Sequence, residues 1–489
     1  MHRYILPLFL LLSCTATARP DTSLHVYYGL LHAHTMICDG SGTPAEAYAM
    51  ARKAGLHFFA VTPHNHIEAE SGAGERKDGI SIARMHELYN GNRNVTVTRK
   101  WKTGGTYRSE QVTLTPLIQA AHNATDRNFV ALYGQEFSTI STGNHVNVLG
   151  VDHVLTTENG NYRLLLDHLR TAAPGAVIQL NHPEVEQDLF ATAGSDKEKR
   201  RMYNDYGIDA GDLGPAFSNW AGAMQPYTHL IELLSGPAMA QTRTEDYHYH
   251  DNANDYFFYL KQGIHVSPSA GQDNHYRTWG TVTDARTGVV APALTEAMLY
   301  DAFRRNRTFV TEDKNLTAIL YVNDSVMGAT LHTKTAGALH LNVLLRDADE
   351  AGAGYDVEVV MSSIQPEVST TARNHKETDG IVSRTRVKGN GLHTLPVAHA
   401  MAGSSFCYLR IKQAGGDRAW TAPVWIQATG NAATQPAATA TQYYWTTSSS
   451  SKVYHTVNCP AVRQIKATNR RSGTKPPADR KPHECVTAQ

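Results

Sequence analysis

Five apolar, strand-like runs in this sequence each lead into side chains that can bind a metal ion: His32, His34 and Asp39, then His64, then Glu136 with His145, then His182, and finally Asp273 with His275. The first run, LHVYYGLLHAHTMICDG, closes on His32-Ala33-His34. Side chains two apart on a strand point to one face, so both imidazoles can reach one ion. After Asp39 and Gly40, Thr43-Pro44-Ala45-Glu46 forms a capping-box pattern with proline at the first helical position. Ala47, Met50, Ala51 and Ala54 then share a face, and Gly55 marks the stop. The segment reads strand, donor-bearing loop, helix.

The other runs repeat this placement. Phe58-Phe59-Ala60-Val61 enters Thr62-Pro63-His64-Asn65, and Phe129 to Tyr133 leads to Gly134-Gln135-Glu136, with His145 shortly after. Ala176 to Leu180 closes on Asn181-His182-Pro183, and His265-Val266-Ser267 precedes Gly271-Gln272-Asp273-Asn274-His275. In barrels of alternating strands and helices, chemistry gathers at the strand C-terminal ends, where these residues would fall. Histidine is abundant, 25 in 489 residues, so His25, His57, His66 and His153, which lie near the motifs, are read as structural.

The ordered set resembles the polymerase and histidinol phosphatase (PHP) superfamily of metal-dependent phosphoesterases. His32, His34, Asp39 and Gly40 match its opening motif, and Thr62, His64 and Asn65 match its second strand end. Gly134, Glu136 and His145, then His182-Pro183, then Asp273 and His275 match the rest in order, over residues 24 to 312. Pro63 stands where the family usually carries aspartate. Within the superfamily the sequence is similar to exported hydrolases of the carbaryl-hydrolase type. The resemblance implies a distorted seven-stranded β/α barrel holding two or three divalent metals, with zinc, manganese and iron equally suited. It implies that His32, His34, Glu136 and Asp273 hold the first metal. Glu136 would bridge to a second with His64 and His145, while Asp39, His182 and His275 complete the second and third sites. A water made acidic by the metals would attack the substrate. Glu136, Asp39, His182 and Arg277 are the candidates for carrying the reaction. Arg277 could clamp an anionic substrate, or could be an ordinary surface residue.

The length suggests about three domains. Residues 1–18 read as a secretory signal: Met1-His2-Arg3, an apolar stretch from Ile5 to Leu12, and Ala16-Thr17-Ala18 as cleavage site. Leu11-Leu12-Ser13-Cys14 also resembles a lipoprotein signal, which would tether the exported protein through Cys14. No other stretch is apolar enough to cross a membrane. Residues 76 to 108 are rich in Arg and Lys and could form a lid or substrate wall, or a solvated excursion.

Short β runs over residues 316–428 predict an antiparallel β-sandwich in which Cys407 is a buried thiol. Residues 429–442 read as a small-residue linker, and 443–489 as a small Cys/His module. There His455, Cys459, His483 and Cys485 could bind one structural zinc, or Cys459 and Cys485 could form a disulfide. Formal net charge is zero, so contact with nucleic acid would have to be local. Nothing in the sequence fixes the oligomeric state.

Three function classes fit. The leading one is a phosphoesterase acting on a small-molecule phosphomonoester or a phosphodiester. The second is an exported amide, ester or carbamate hydrolase using the same metals, and the third a metal-stabilised binding protein without activity. Loss of activity usually costs donors, and here all nine are present.

Overall fold

A computed structural model of the chain describes residues 24–64, 115–137, 145–153, 155, 162–183, 224–243, 250–366 and 376–429, and then 443–448, 450–456, 465–473, 477 and 479–482. The export signal, the basic insert and the linker lie outside these. The chain divides into two compact units, residues 1–429 and 430–489.

The larger unit is built on a mixed sheet. Strand β1 (His25–Leu30) is parallel to β2 (Phe58–Val61), and β2 to β3 (Val130–Phe137). Next come β4 (Val146–Leu149) and β5 (Val177–Leu180), each antiparallel to its predecessor. Strands β6 (Thr228–Ser235) and β7 (Ser267–Gly271) restore the parallel sense. The reversal at β4 has a local cause: too few residues separate β3 from β4 for the crossover that a parallel pair needs. Beyond β7 the chain returns to the first strand. Gln272 and Asp273 donate their N–H groups to His32 O at 3.2 and 3.0 Å, and His34 N–H donates to Asn274 O at 3.1 Å.

Helix α1 (Pro44–Lys53) links β1 to β2 and starts as its sequence predicts. Thr43 Oγ1 accepts from Glu46 N at 3.2 Å, and Thr43 N donates to Glu46 Oε2 at 2.7 Å. Helices α2 (Thr115–Ala124), α3 (Tyr162–Ala172) and α4 (Ala253–Lys261) precede β3, β5 and β7. Tyr256 to Leu260 of α4 are buried on every side, as expected of a helix that is apolar all round.

The sheet continues past residue 312. Strand β8 (Arg286–Ala291) is antiparallel to β1 and to β9 (Thr308–Thr311), and β9 pairs in turn with Arg418–Thr421. Strands over Thr317–Val322, Leu341–Arg346, Gly354–Ser363, Ile381–Lys388, Gly403–Gln413 and Val424–Thr429 follow the β runs read from the sequence. All pair antiparallel with one another, but Thr330–Lys334 joins Val424–Thr429 in parallel. Cys407 is buried, which pushes its thiol up to about 12. Phe406, Tyr408, Trp420 and Trp425 share one apolar core with Phe257, Ile231 and Val61, so this core spans both parts of the unit.

In the smaller unit the strands Arg470–Gly473, Tyr443–Thr446, Val453–Thr456 and Lys481–Pro482 form a four-stranded sheet in that order. His455 is buried there, while Cys459, His483 and Cys485 lie outside the described residues.

Candidate metal centre

All nine candidate donors come together: His32, His34 and Asp39 follow β1, His64 follows β2, Glu136 lies in β3, His145 precedes β4, His182 follows β5, and Asp273 and His275 follow β7. They form three overlapping groups, each with its ligand atoms within 4.8 Å of one another: His32, His34, Glu136 and Asp273; His34, Asp39, His64 and His275; and Glu136, His145 and His182. In the first group Asp273 Oδ1 lies 3.1 Å from His32 Nε2 and 2.9 Å from His34 Nε2. Donor atoms bonded at about 2.1 Å to one tetrahedral ion stand about 3.4 Å apart, so this spacing suits a shared metal.

Glu136 is the hub. Its Oε1 lies 3.2 Å from His32 Nε2, 3.0 Å from His145 Nδ1 and 3.4 Å from His182 Nε2, and its Oε2 lies 3.3 Å from His34 Nε2 and 2.8 Å from His64 Nδ1. The resemblance implied Glu136 with His64 and His145, and both rings do lie beside Glu136; by mutual spacing His64 also groups with Asp39 and His275, and His145 with His182. Asp39 Oδ1 is 3.3 Å from His275 Nε2 and 3.6 Å from His64 Nε2. The side chains of His32, His34 and Glu136 form a buried floor, while Asp39, His64, His145, His182 and Asp273 are 12–24% exposed at the rim.

The donor set passes a test of fit. His34 Nε2, Glu136 Oε2 and Asp273 Oδ1 are buried without a well-aligned hydrogen-bond partner, although they crowd together. Buried polar atoms of this kind are rare and costly unless something else satisfies them. Imidazole nitrogens and carboxylate oxygens are the donors that zinc, manganese and iron accept. A divalent ion fits these residues.

The electrostatics agree. Burial opposes ionisation of Glu136, yet His145, His32 and His64 outweigh it and hold its pKa well below the usual range. The same balance lowers Asp273 through His32 and His34, and Asp39 through His275 and His64. Burial acts against protonation of His32, but Asp273, Glu136 and Glu232 raise its pKa well above normal. At His145 burial, reinforced by His182 and His64, outweighs Glu136, and its pKa falls.

Backbone conformation is unusual at two donors. His182 and Asp273 have φ of 27° and 49°, a region that side chains other than glycine seldom enter. Such outliers gather at functional sites.

Several partners were not foreseen from the sequence. Asn181 Nδ2 donates to Glu136 Oε1 at 3.1 Å, Gln179 Nε2 to Asn181 Oδ1 at 3.1 Å, and Ser269 Oγ to Gln179 Oε1 at 2.8 Å. Trp279 Nε1 donates to His34 O at 2.9 Å, and Cys38 Sγ stands 3.3 Å from His34 Nδ1. Glu232 is a fully buried carboxylate beside His32. Its one sequence signal was a charge inside the apolar run Leu230 to Leu234.

Arg277 is exposed and faces Glu46, with Nε 4.0 Å from Oε2. His25, His57 and His153 belong to none of the three groups; His57 Nδ1 accepts from Tyr28 N at 3.0 Å. His66 lies outside the described residues.

No protein-family model matches the chain, and no curated protein matches it. Solved structures similar to it include a two-domain protein of Bacteroides vulgatus containing a predicted PHP-like metal-dependent phosphoesterase, with 12% identity, 80% of this chain and 91% of that one covered, and TM-score 0.36. Another, from Bifidobacterium adolescentis, is named as a candidate metal-dependent phosphoesterase, with 12% identity, 50% of this chain and 87% of that one covered, and TM-score 0.19. The soluble domain of PmoD from a Methylocystis species shares 8% identity, covering 23% of this chain and 90% of that one, with TM-score 0.17.

Proposed function

We propose that this chain is a metal-dependent phosphoesterase that hydrolyses a phosphomonoester or phosphodiester, working with two or three divalent ions at the ends of a distorted seven-stranded barrel. The observation that carries the reading is Glu136, one buried carboxylate within 3.4 Å of five imidazoles. Such a hub has no role in packing an apolar core, but it suits a bridge between ions. His32, His34, Glu136 and Asp273 would hold one ion, Glu136, His145 and His182 another, and His34, Asp39, His64 and His275 a third. Bound there, the ions would make a water acidic and offset the charge that develops on the substrate.

The remaining work falls to the chain itself. The buried floor of His32, His34 and Glu136 excludes bulk water, and the rim admits the substrate. Asp39 is kept ionised against its burial by His275 and His64, at 3.3 and 3.6 Å, as an anionic donor to a cation would be. Asp39, Glu136 and Asp273, with the buried Glu232 beside His32, bring four negative charges, so a centre holding three divalent ions carries about +2. That balance favours an anionic substrate over a neutral one. Arg277 would add a cation at the margin.

A second reading, an ester, amide or carbamate hydrolase, is favoured by Met239. This residue is exposed, next to Ala238, whose carbonyl accepts from His275 N at 2.9 Å. An exposed apolar side chain beside a backbone partner of His275 would suit a neutral aryl substrate.

Assay of the metal-loaded protein separates the two. Expected results are turnover of an aryl phosphomonoester or phosphodiester, competitive inhibition by inorganic phosphate, and reduced efficiency in Arg277→Ala. Aryl ester or carbamate turnover that far exceeds phosphoester turnover, with indifference to phosphate, would establish the second reading instead. Metal binding with no turnover of any of these substrates would leave a binding protein.

A further inference from the structure

Behind the donor atoms lies a carboxylate that the proposed reaction does not use. Glu232 interrupts the apolar run Leu230 to Leu234 of β6 and is wholly buried. A carboxylate taken out of water needs strong partners, and both its oxygens have one. Oε1 lies 3.1 Å from His32 Nδ1, and Oε2 accepts from the backbone N–H of His182 at 2.8 Å. The space for it comes from Gly271, where a Cβ would fall 1.9 Å from Glu232 Oε1 and 2.6 Å from His32 Cβ.

We propose that Glu232 is a positioning residue that orients donors of two metal sites at once; the inference rests on the metal-centre reading above. A carboxylate oxygen accepts, so His32 presents Nδ1–H to it and turns the Nε2 lone pair toward Glu136 and Asp273. The second oxygen grips the chain at His182, whose φ of 27° is one that a histidine seldom adopts without a restraint. Held there, the His182 ring comes to Glu136 Oε1 at 3.4 Å. One side chain therefore aligns His32 in one group and His182 in another. The two hydrogen bonds of Glu232 go to His32 and His182, neither of which belongs to the group of His34, Asp39, His64 and His275, and His34 Nδ1 faces Cys38 Sγ instead.

The test is zinc titration of the full chain against a competing chromophoric chelator, comparing wild type with Glu232→Gln. An amide has a single oxygen and can accept from only one of the two donors. The variant should keep its circular dichroism spectrum, lose about 10–100-fold in zinc affinity at two sites, and retain the remaining site at wild-type strength. Equal affinities in wild type and variant would overturn the inference and leave the metal-centre reading intact. A wild-type protein that takes up no zinc would remove that reading itself.

Should Glu232→Gln not fold, nitrogen-15 NMR of histidine-labelled, zinc-loaded wild type decides. A downfield, slowly exchanging Nδ1 proton on His32 supports a buried carboxylate partner. A proton on Nε2, or a rapidly exchanging Nδ1 proton, overturns it.

Discussion

At the scale of single residues, Glu136 carries the heaviest demand, because its two oxygens face different imidazoles. Glu136→Gln keeps the size and removes the charge. Turnover should fall by at least the 10–100-fold typical of lost metal support, with an unchanged circular dichroism spectrum. Retention of more than about a tenth of wild-type turnover would count against a bridging role. Strand geometry marks only part of the candidate set, as in His32-Ala33-His34 at the end of β1; the rest came as an ordered series of short motifs that resembles one family. Glu232, Asn181 and Trp279 were not legible in the sequence. They act through contacts with residues far away in sequence, and no local spacing marks a carboxylate or an amide whose partner comes from another strand.

Among elements, the short helical turn Glu377–Gly380 lies against α4 and carries a buried acid. Glu377 Oε1 accepts from Tyr408 Oη and Trp420 Nε1, each at 2.9 Å, and Arg410 Nε stands 3.4 Å from Oε2. Burial, reinforced by Asp251, outweighs these partners and raises its pKa from the ordinary 4.5 to about 7. In that interval the folded chain keeps a proton that the unfolded chain has released. Its contribution to stability is therefore complete below 4.5 and is lost as pH rises through 7. The loss is about 3 kcal/mol. Urea midpoints measured between these limits should decline with pH in wild type and stay flatter in Glu377→Gln. The capping box of α1 and the strand positions were readable because each depends on neighbours a few residues away. Pairing was not readable: nothing local in Thr308–Thr311 announces that its partner is Arg418–Thr421.

For the whole molecule, the boundaries between compact units set what can be removed. A chain ending at Thr429 keeps every described donor, so it should turn over a small soluble substrate at nearly the full rate; complete loss in a folded truncation would show that the tail enters the site. A chain ending near residue 312 should fail to fold, because Phe406, Tyr408, Trp420 and Trp425 would be missing from its core. Soluble, cooperative unfolding of that fragment would refute the shared core. Elemental analysis should find two or more metal equivalents in the full chain. One earlier detail ties this chemistry to mechanics. The bonds from Gln272 and Asp273 to His32, and from His34 to Asn274, fasten the last strand to the first through the very residues that offer donors. The centre thus also ties the segment after β7 to the segment after β1, and an ion lodged in it would strengthen that tie. Stripping the protein with a chelator should speed deuterium uptake at the His34 and Asp273 amides first, so that emptying the chemical heart is felt in the backbone as a loosened tie.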